Sequence, residues 1–335
     1  MKQRITIREV AQEANVSPST VSRVINGREA DHMRPETKQR VVDAMQALSY
    51  TPVKAAQQLR RQRSQRLGVL VPDISNLYFA LLVRGIEAEA FDRGFTTLIC
   101  DSDQQLGREQ RYLEILLAED VDGVLFVPTA KPNMTALQRL VDRGTRVIVP
   151  DRRIANLPYV EADNLQASCE LANHVVDLGY RRIAYIAGPE GVSTADDRLA
   201  GFLQALKSHG VKPAVLYHGD FTYESGYDCG SEILDRDDIQ AVLTGNDLMA
   251  FGVLRAAEER SLSVPKDLGV AGFDHVPHVP YATFLRPELT TVEVPVYHIG
   301  QQATRLLLEG SDENVIVPTM MIRGGTCRPM KGSNT

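Results

Sequence analysis

The sequence predicts a small all-helical head, joined by a short linker to a much larger α/β body built on two parallel sheets. Three observations predict it. The first is length: 335 residues exceed what one hydrophobic core comfortably organises, so two or three domains are expected. The second is charge. Residues 1–66 carry 13 Lys and Arg against 6 Asp and Glu, a balance of +7, while the rest of the chain carries −13, for a net −6. A basic head on an acidic body fits a protein in which only the head meets a polyanion. The third is texture: helical apolar spacing fills the head, whereas the body alternates short apolar runs with helical patterns.

The head opens with Thr6-Ile7-Arg8-Glu9, a capping-box pattern. Ile7, Val10, Ala11 and Ala14 follow at i, i+3, i+4 and i+7, predicting a helix over 7–14. Asn15-Val16 reads as a tight turn. Ser17 suits an N-cap and Pro18 the first position of a second helix. Val21, Val24 and Ile25 face back toward the first helix, with Pro18, Ser19, Ser22 and Arg23 on the other side. A third helix starts near Pro35, with Val41, Met45 and Leu48 inward. Two helices across a short turn, the second with a polar outer face, make a helix-turn-helix. Short side chains at its N-terminus let the backbone approach base edges in the major groove. Ser19, Ser22 and Arg23 are candidates for bases, Thr20 and Asn26 for phosphates, and Thr6 and Ser17 belong to the same surface. The blander alternative is a small bundle with a solvated face.

After Tyr50-Thr51-Pro52 comes VKAAQQLRRQRSQR, small residues around one leucine with arginines at 60, 61, 63 and 66. So short a helix forms only against a partner. Leu59, beside small residues such as Ala56 and cations such as Arg60, has the make-up of a minor-groove wedge. Without DNA the segment reads as a charged linker.

In the body, LGVLV (67–71), TTLIC (96–100), DGVLFV (122–127), RVIVP (146–150), RIAYIAG (182–188), AVLTGND (241–247) and LGVAGFD (268–274) alternate with helical stretches. That rhythm indicates parallel sheets covered on both faces. Neither GxGxxG after a strand nor GxxxxGK[ST] occurs, so nucleotide-phosphate fingerprints are missing. Ligands of open parallel sheets bind at the carboxyl ends of strands. There the chain places PDISNLYF, Asp151-Arg152, Asn246-Asp247 and Asp274. Carboxylates accept from hydroxyls, an arginine fork donates, and Asn does both, a list suited to a neutral polyol. Tyr78, Phe79 and Phe221 would cover the apolar faces of its ring. Taken singly, Asn246 and Asp274 also fit helix caps, and Arg198 a surface ion pair.

The residues speak against an enzyme and against an exported or membrane protein. Asp274-His275-Val276-Pro277-His278 offers two histidines and a carboxylate, but no third zinc ligand is evident, so no metal, cofactor or enzymatic role is expected. Cys100, Cys169, Cys229 and Cys327 form no CxxC pair, which suits a reducing compartment. No leader-like segment and no run near ~20 apolar residues is present, so a cytoplasmic location and no membrane partner are expected.

VAQEANVSPSTVSRVING, a third helix and then YTPVKAAQQL together resemble the headpiece of the LacI/GalR family of bacterial transcription regulators. The resemblance implies that 18–25 is the recognition helix, with Pro18, Ser19 and Arg23 reading bases, and that 52–59 is a hinge helix with Leu59 as the wedge. The body is similar to the family's effector domain and to periplasmic sugar-binding proteins, above all the ribose type. Carried over, the effector contacts would be Tyr78, Phe79, Asp151, Arg152, Arg198, Phe221, Asn246 and Asp274, with Asn164 at the rim. Val294 stands where the ribose type has Gln, and Val192 where the purine type has Arg, which points away from a purine. The implied organisation is a headpiece over 1–50, hinge and linker over 51–66, one effector subdomain of 67–163 plus 295–323, and another of 164–292 plus 324–335. The implied function is an operator-binding regulator, acting as a homodimer and controlled by a small sugar. A phosphosugar or nucleoside effector is the alternative, with a sugar- or metal-dependent enzyme the remoter one, and the response could have either sign. No heptads follow MMIRGGTCRPMKGSNT, so a dimer is expected rather than a tail-assembled tetramer.

Overall fold

The computed structural model describes residues 5–25, 33–50, 64–129, 134–275 and 287–330, in two compact units that divide after Ser64. The head holds α1 (Ile7–Glu13), α2 (Pro18–Ile25) and α3 (Pro35–Ala47). Its start is fixed as the spacing predicts: Glu9 Oε2 accepts from the Thr6 N–H at 2.6 Å and from its hydroxyl at 2.8 Å. Asn15 takes φ +48° to end α1, a left-handed conformation that Asn tolerates, and the Val16 N–H bonds to the Ala11 carbonyl at 2.9 Å. Val10, Ala11, Ala14, Val21, Val41 and Ala44 form the core.

The body's first lobe is a parallel sheet. β1 (Arg66–Val71), α4 (Leu77–Asp92), β2 (Thr96–Asp101), α5 (Leu106–Ala118), β3 (Gly123–Phe126), α6 (Met134–Asp142), β4 (Arg146–Pro150) and β5 (Tyr159–Ala162) alternate along the chain. The second lobe follows with α7 (Asn164–Asp177), β6 (Ile183–Ala187), α8 (Ser193–Ser208), β7 (Val215–His218), α9 (Tyr223–Leu234), β8 (Ala241–Thr244), α10 (Asp247–Glu259) and β9 (Gly269–Ala271). β10 (Thr291–Glu293), α11 (Val296–Glu309), β11 (Val315–Val317) and β12 (Met320–Ile322) complete the described chain. Six strands order as β11-β5-β4-β3-β1-β2 and four as β7-β6-β8-β9, every pair parallel. β10 and β12 form a separate antiparallel ribbon. The chain therefore passes between the lobes at Asp163, between β10 and α11, and between β11 and β12.

Burial explains which runs became strands. β3, β6, β8 and β9 are buried along their whole length, as in sheets covered on both faces. β7 alternates half-buried with exposed because it lies at an edge. Among the described residues no helix is long and apolar enough to cross a membrane. One glycine fixes the position of α8. A Cβ at Gly201 would lie 2.2 Å from the Leu165 carbonyl oxygen, so only glycine lets α8 close against α7.

Candidate functional site

In the head, Ser17 organises the start of α2. Its Oγ accepts from the Thr20 N–H at 3.2 Å and lies 2.7 Å from Ser19 Oγ and 2.9 Å from Thr20 Oγ1. Ser17, Pro18, Ser19 and Arg23 are exposed, Thr20 and Ser22 half-buried, and Val21 on the opposite side is buried. The helix thus offers short polar tips and one guanidinium at a single face. Thr6 is exposed as well, its hydroxyl held by Glu9. Asn26, Ala56, Leu59 and Arg60 lie outside the described residues, as does the hinge segment.

In the body, a cleft between the lobes is lined by Asn76, Tyr78, Phe79, Asp151 and Arg152 from the first, and by Thr194, Arg198, Phe221, Asn246 and Asp274 from the second. Each comes from the carboxyl end of a strand or the helix after it. Asn76 caps α4 by accepting from the Tyr78 N–H at 3.0 Å, which aims that helix's first turn inward. The Tyr78 hydroxyl donates to Asp151 Oδ1 in a short hydrogen bond, and the Tyr78 and Phe79 rings meet edge to face at 5.4 Å. Arg152 donates through Nη1 to the Pro128 carbonyl and stands 5.7 Å from the Phe79 centroid.

Arg198 is the most fixed of the set. Nε donates to Asn164 Oδ1 at 2.8 Å and Nη1 to the Gly245 carbonyl at 2.7 Å, with the guanidinium 4.0 Å from the Phe273 ring centroid. Asn246 caps α10 through Oδ1 to the Met249 N–H, and its Nδ2 donates to the Phe221 carbonyl at 2.9 Å. The Phe221 ring packs so close to Gly188 that a Cβ there would lie 2.2 Å away. Asp151, Phe221 and Asp274 have φ of +72°, +69° and +109°. Left-handed backbone at residues with a Cβ costs energy, and here it turns three side chains into one cleft.

Two polar atoms in this cleft stay unsatisfied. Arg152 Nε and Asp274 Oδ1 are buried with no hydrogen-bond partner among the described residues. Both have opposite charges nearby: Arg152 Nε is 3.7 Å from Asp151 Oδ2, and Arg198 Nη1 is 3.0 Å from Asp274 Oδ1. The first is too long for a hydrogen bond, and the second is an ion pair at hydrogen-bond distance that leaves the oxygen room for a better-aligned donor. Burial pushes the Asp274 carboxyl up to about 7, against the pull of Arg198 and with the repulsion of Asp151. Burial lowers Arg152, with Asp151 opposing; burial also acts to lower Arg198, but Asp274, Tyr78, Asp151 and Tyr185 together outweigh it and raise that group. The Tyr78 hydroxyl is raised by burial and by the facing Asp151, so it stays a donor. The remaining inner space is about 30 Å³, roughly one water. A chamber of about 420 Å³ outside it shares Asn76, Phe79, Arg152 and Phe221.

Both units match known families. Residues 6–53 match the bacterial regulatory proteins of the lacI family, and residues 64–322 match the periplasmic binding proteins and sugar binding domain of the LacI family. The chain belongs to the LacI family. It is a DNA-binding transcriptional regulator and not an enzyme. Catabolite control protein A of Priestia megaterium is 34% identical over 93% of this chain and 94% of its own. The HTH-type transcriptional repressor CytR of Escherichia coli strain K12 is 33% identical over 96% of each. The ribose operon repressor of Halalkalibacterium halodurans is 32% identical over 95% of each. The lac repressor dimer bound to operator and the anti-inducer ONPF superposes with a TM-score of 0.86 at 26% identity, covering 97% of this chain and 100% of that one. A LacI family regulator from Enterococcus faecium with bound ribose gives 0.72 at 28% identity, over 79% and 100%.

Within this LacI-family body, eight of the residues that the sequence points to line one cleft: Tyr78, Phe79, Asp151, Arg152, Arg198, Phe221, Asn246 and Asp274. Asn164 stands elsewhere. It is buried behind Arg198, bonded to Nε and to the Ala162 carbonyl, rather than at the rim. Asn76 and Thr194 line the cleft too, although sequence reasoning misses them. Asn76 carries a signal as the polar residue opening the NLYF helix, and Thr194 as the residue four before Arg198 on one helical face. The His275 N–H donates to Asp247 Oδ2, and His278 lies outside the described residues.

Proposed function

We propose that the chain acts in the cytoplasm as a homodimeric repressor, and that a neutral sugar or polyol in the interlobe cleft changes its affinity for operator DNA. The single observation that carries the ligand class is the pair of buried, unsatisfied groups: Arg152 Nε, a donor, and Asp274 Oδ1, an acceptor. A hydroxyl both donates and accepts, so a polyhydroxylated ring satisfies both. Two arginines face two aspartates in the lining, which leaves no surplus positive charge to reward a phosphate. Phe79 and Phe221 supply apolar surfaces for C–H faces. The relatives that bind ribose or cellobiose share this body.

Binding requires the 30 Å³ inner space to widen, so ligand and lobe arrangement are coupled. A coupling of about 1–3 kcal/mol, a 5- to 150-fold change in operator affinity, is typical. For dimerisation the candidate face is a groove of about 860 Å³ along α10. Leu248, Phe251, Leu254, Leu262 and Val264 line it, with Arg255 and Glu258 at its border. A second copy fits this face because the two half-sites of an operator call for paired recognition helices, and the similar lac repressor is a dimer on its operator.

A melting-temperature screen against pentoses, hexoses, polyols, sugar phosphates and nucleosides tests the ligand class. Stabilisation by a neutral sugar, lost in Arg152→Ala, is expected. Stabilisation by sugar phosphates or nucleosides alone would overturn the neutral-polyol assignment.

A further inference from the structure

Beside the cleft lining, a second set of polar groups ties the lobes together. Arg153 follows Asp151 and Arg152 on the loop after β4. Its N–H donates to Ser193 Oγ at 2.9 Å, Nη1 to Glu161 Oε1 at 2.5 Å and Nη2 to Asp197 Oδ2 at 2.6 Å. Glu161 belongs to β5 of the first lobe, Ser193 and Asp197 to α8 of the second. Helical periodicity explains the arrangement. Thr194 and Arg198, four apart, face the cleft, while Ser193 and Asp197, each one residue earlier, form the neighbouring stripe. Cleft and clasp therefore share the start of one helix and three consecutive residues of one loop.

Glu161 shows that this is more than a surface ion pair. Its side chain is 1% exposed, its Oε2 is buried without a hydrogen bond, and Arg153 is its only ion-pair partner among the described residues. Burial pushes the carboxyl up to about 7, Arg153 acting against that, with Asp197 and Asp151 adding repulsion. An apolar residue on this buried strand would avoid that desolvation cost. What the carboxylate contributes is direction: it turns the guanidinium so that the second fork reaches Asp197 across the lobe boundary.

We propose that Arg153, anchored by Glu161, is the positioning residue that clasps α8 and sets how closely the lobes stand before any ligand arrives. Its bearing on repression rests on the cleft being the effector site; the clasp itself does not. When the clasp is loosened, the closed arrangement is less populated in the free protein. Because the inner space must widen to admit a ligand, apparent ligand affinity then rises with the population of the widened arrangement.

The test measures the lobes directly, without sugar. Spin labels at Gln110 on α5 and Gln204 on α8, in a Cys229→Ser background diluted with unlabelled protein, report the intrasubunit interlobe distance in full-length chains at pH 8. Arg153→Met and Asp197→Asn are expected to lengthen and broaden the distance distribution by several ångströms, with Arg153→Lys intermediate. A role confined to local stability would lower the melting temperature and leave the distribution unchanged, and that result overturns the proposal. If Arg153→Met does not fold, Asp197→Asn and Ser193→Ala carry the test. Adding D-ribose to the unsubstituted protein is a separate arm. No response to ribose or to the other neutral sugars, with the clasp variants still opened, counts against the sugar assignment alone.

Discussion

The head and the cleft offer polar groups to a partner in opposite ways. At the start of α2 the Ser17 hydroxyl bonds to those of Ser19 and Thr20 at the surface, where water competes for every bond. In the cleft Arg198, Tyr78 and Asp151 are bonded in the interior, Arg198 to Asn164 behind it, where an unmet bond is costly. An open face suits a large polyanion that brings its own charge and area. A buried, nearly self-satisfied cleft suits a small molecule that must replace internal bonds one for one. The difference sets how much each region loses when one atom is removed.

Arg198→Ala should have the largest effect. It strips Asn164 and the Gly245 carbonyl of their donor and leaves Asp274 buried without its cation, a loss of roughly 3–5 kcal/mol for one partner of a buried pair. Urea unfolding of the body reads this loss, and an unchanged midpoint would mean that the cleft is not internally paired as described. Arg23→Ala sharpens the contrast from the other side. Operator binding should weaken by about 1–3 kcal/mol, the range for a side chain that reads a base, with the melting of the body unchanged. Equal weakening on unrelated DNA would reassign Arg23 to the phosphates. Ser17→Ala should cost the head about 1 kcal/mol as a lost cap, visible as faster amide exchange in α2 alone.

A pH dependence confined to the body probes the clasp and the cleft together. Burial raises Glu161 from 4.5 to about 7 and Asp274 from 3.8 to about 7. An acid whose folded value is raised stabilises the fold fully below its unfolded value, and that contribution is lost as pH rises through the folded value. The melting temperature of the body should therefore fall between pH 5 and pH 8, and fall less in Glu161→Gln. An identical pH slope in that variant would show Glu161 to be already ionised at pH 5.

These contrasts also mark what the sequence can reveal. Caps and strand ends are local patterns, so the Thr6–Glu9 box, the start of α2 and the placement of Asp151, Arg152 and Asp274 after apolar runs are legible. β5 and β7 are not. Each has only four residues, and β7 shows an edge strand's alternation rather than an apolar run. Asn164 is placed at the rim by resemblance alone; its partner Arg198 lies 34 positions away, so no local pattern marks it as buried. Thr194 is easily missed because a threonine in the first turn of a helix looks like a cap. The Arg153 clasp joins residues up to 44 positions apart across two lobes, and no periodicity encodes such a contact.

The head rests on six buried core residues, three of them alanine, among those described. Small domains with little apolar burial are the less stable ones. On warming, the head should therefore melt first, as an early minor calorimetric transition, while the body still recognises its ligand. A regulator built this way can lose its hold on DNA by a route that involves no ligand in the cleft. Heat alone would free the operator, and cooling would restore repression without any new synthesis of protein.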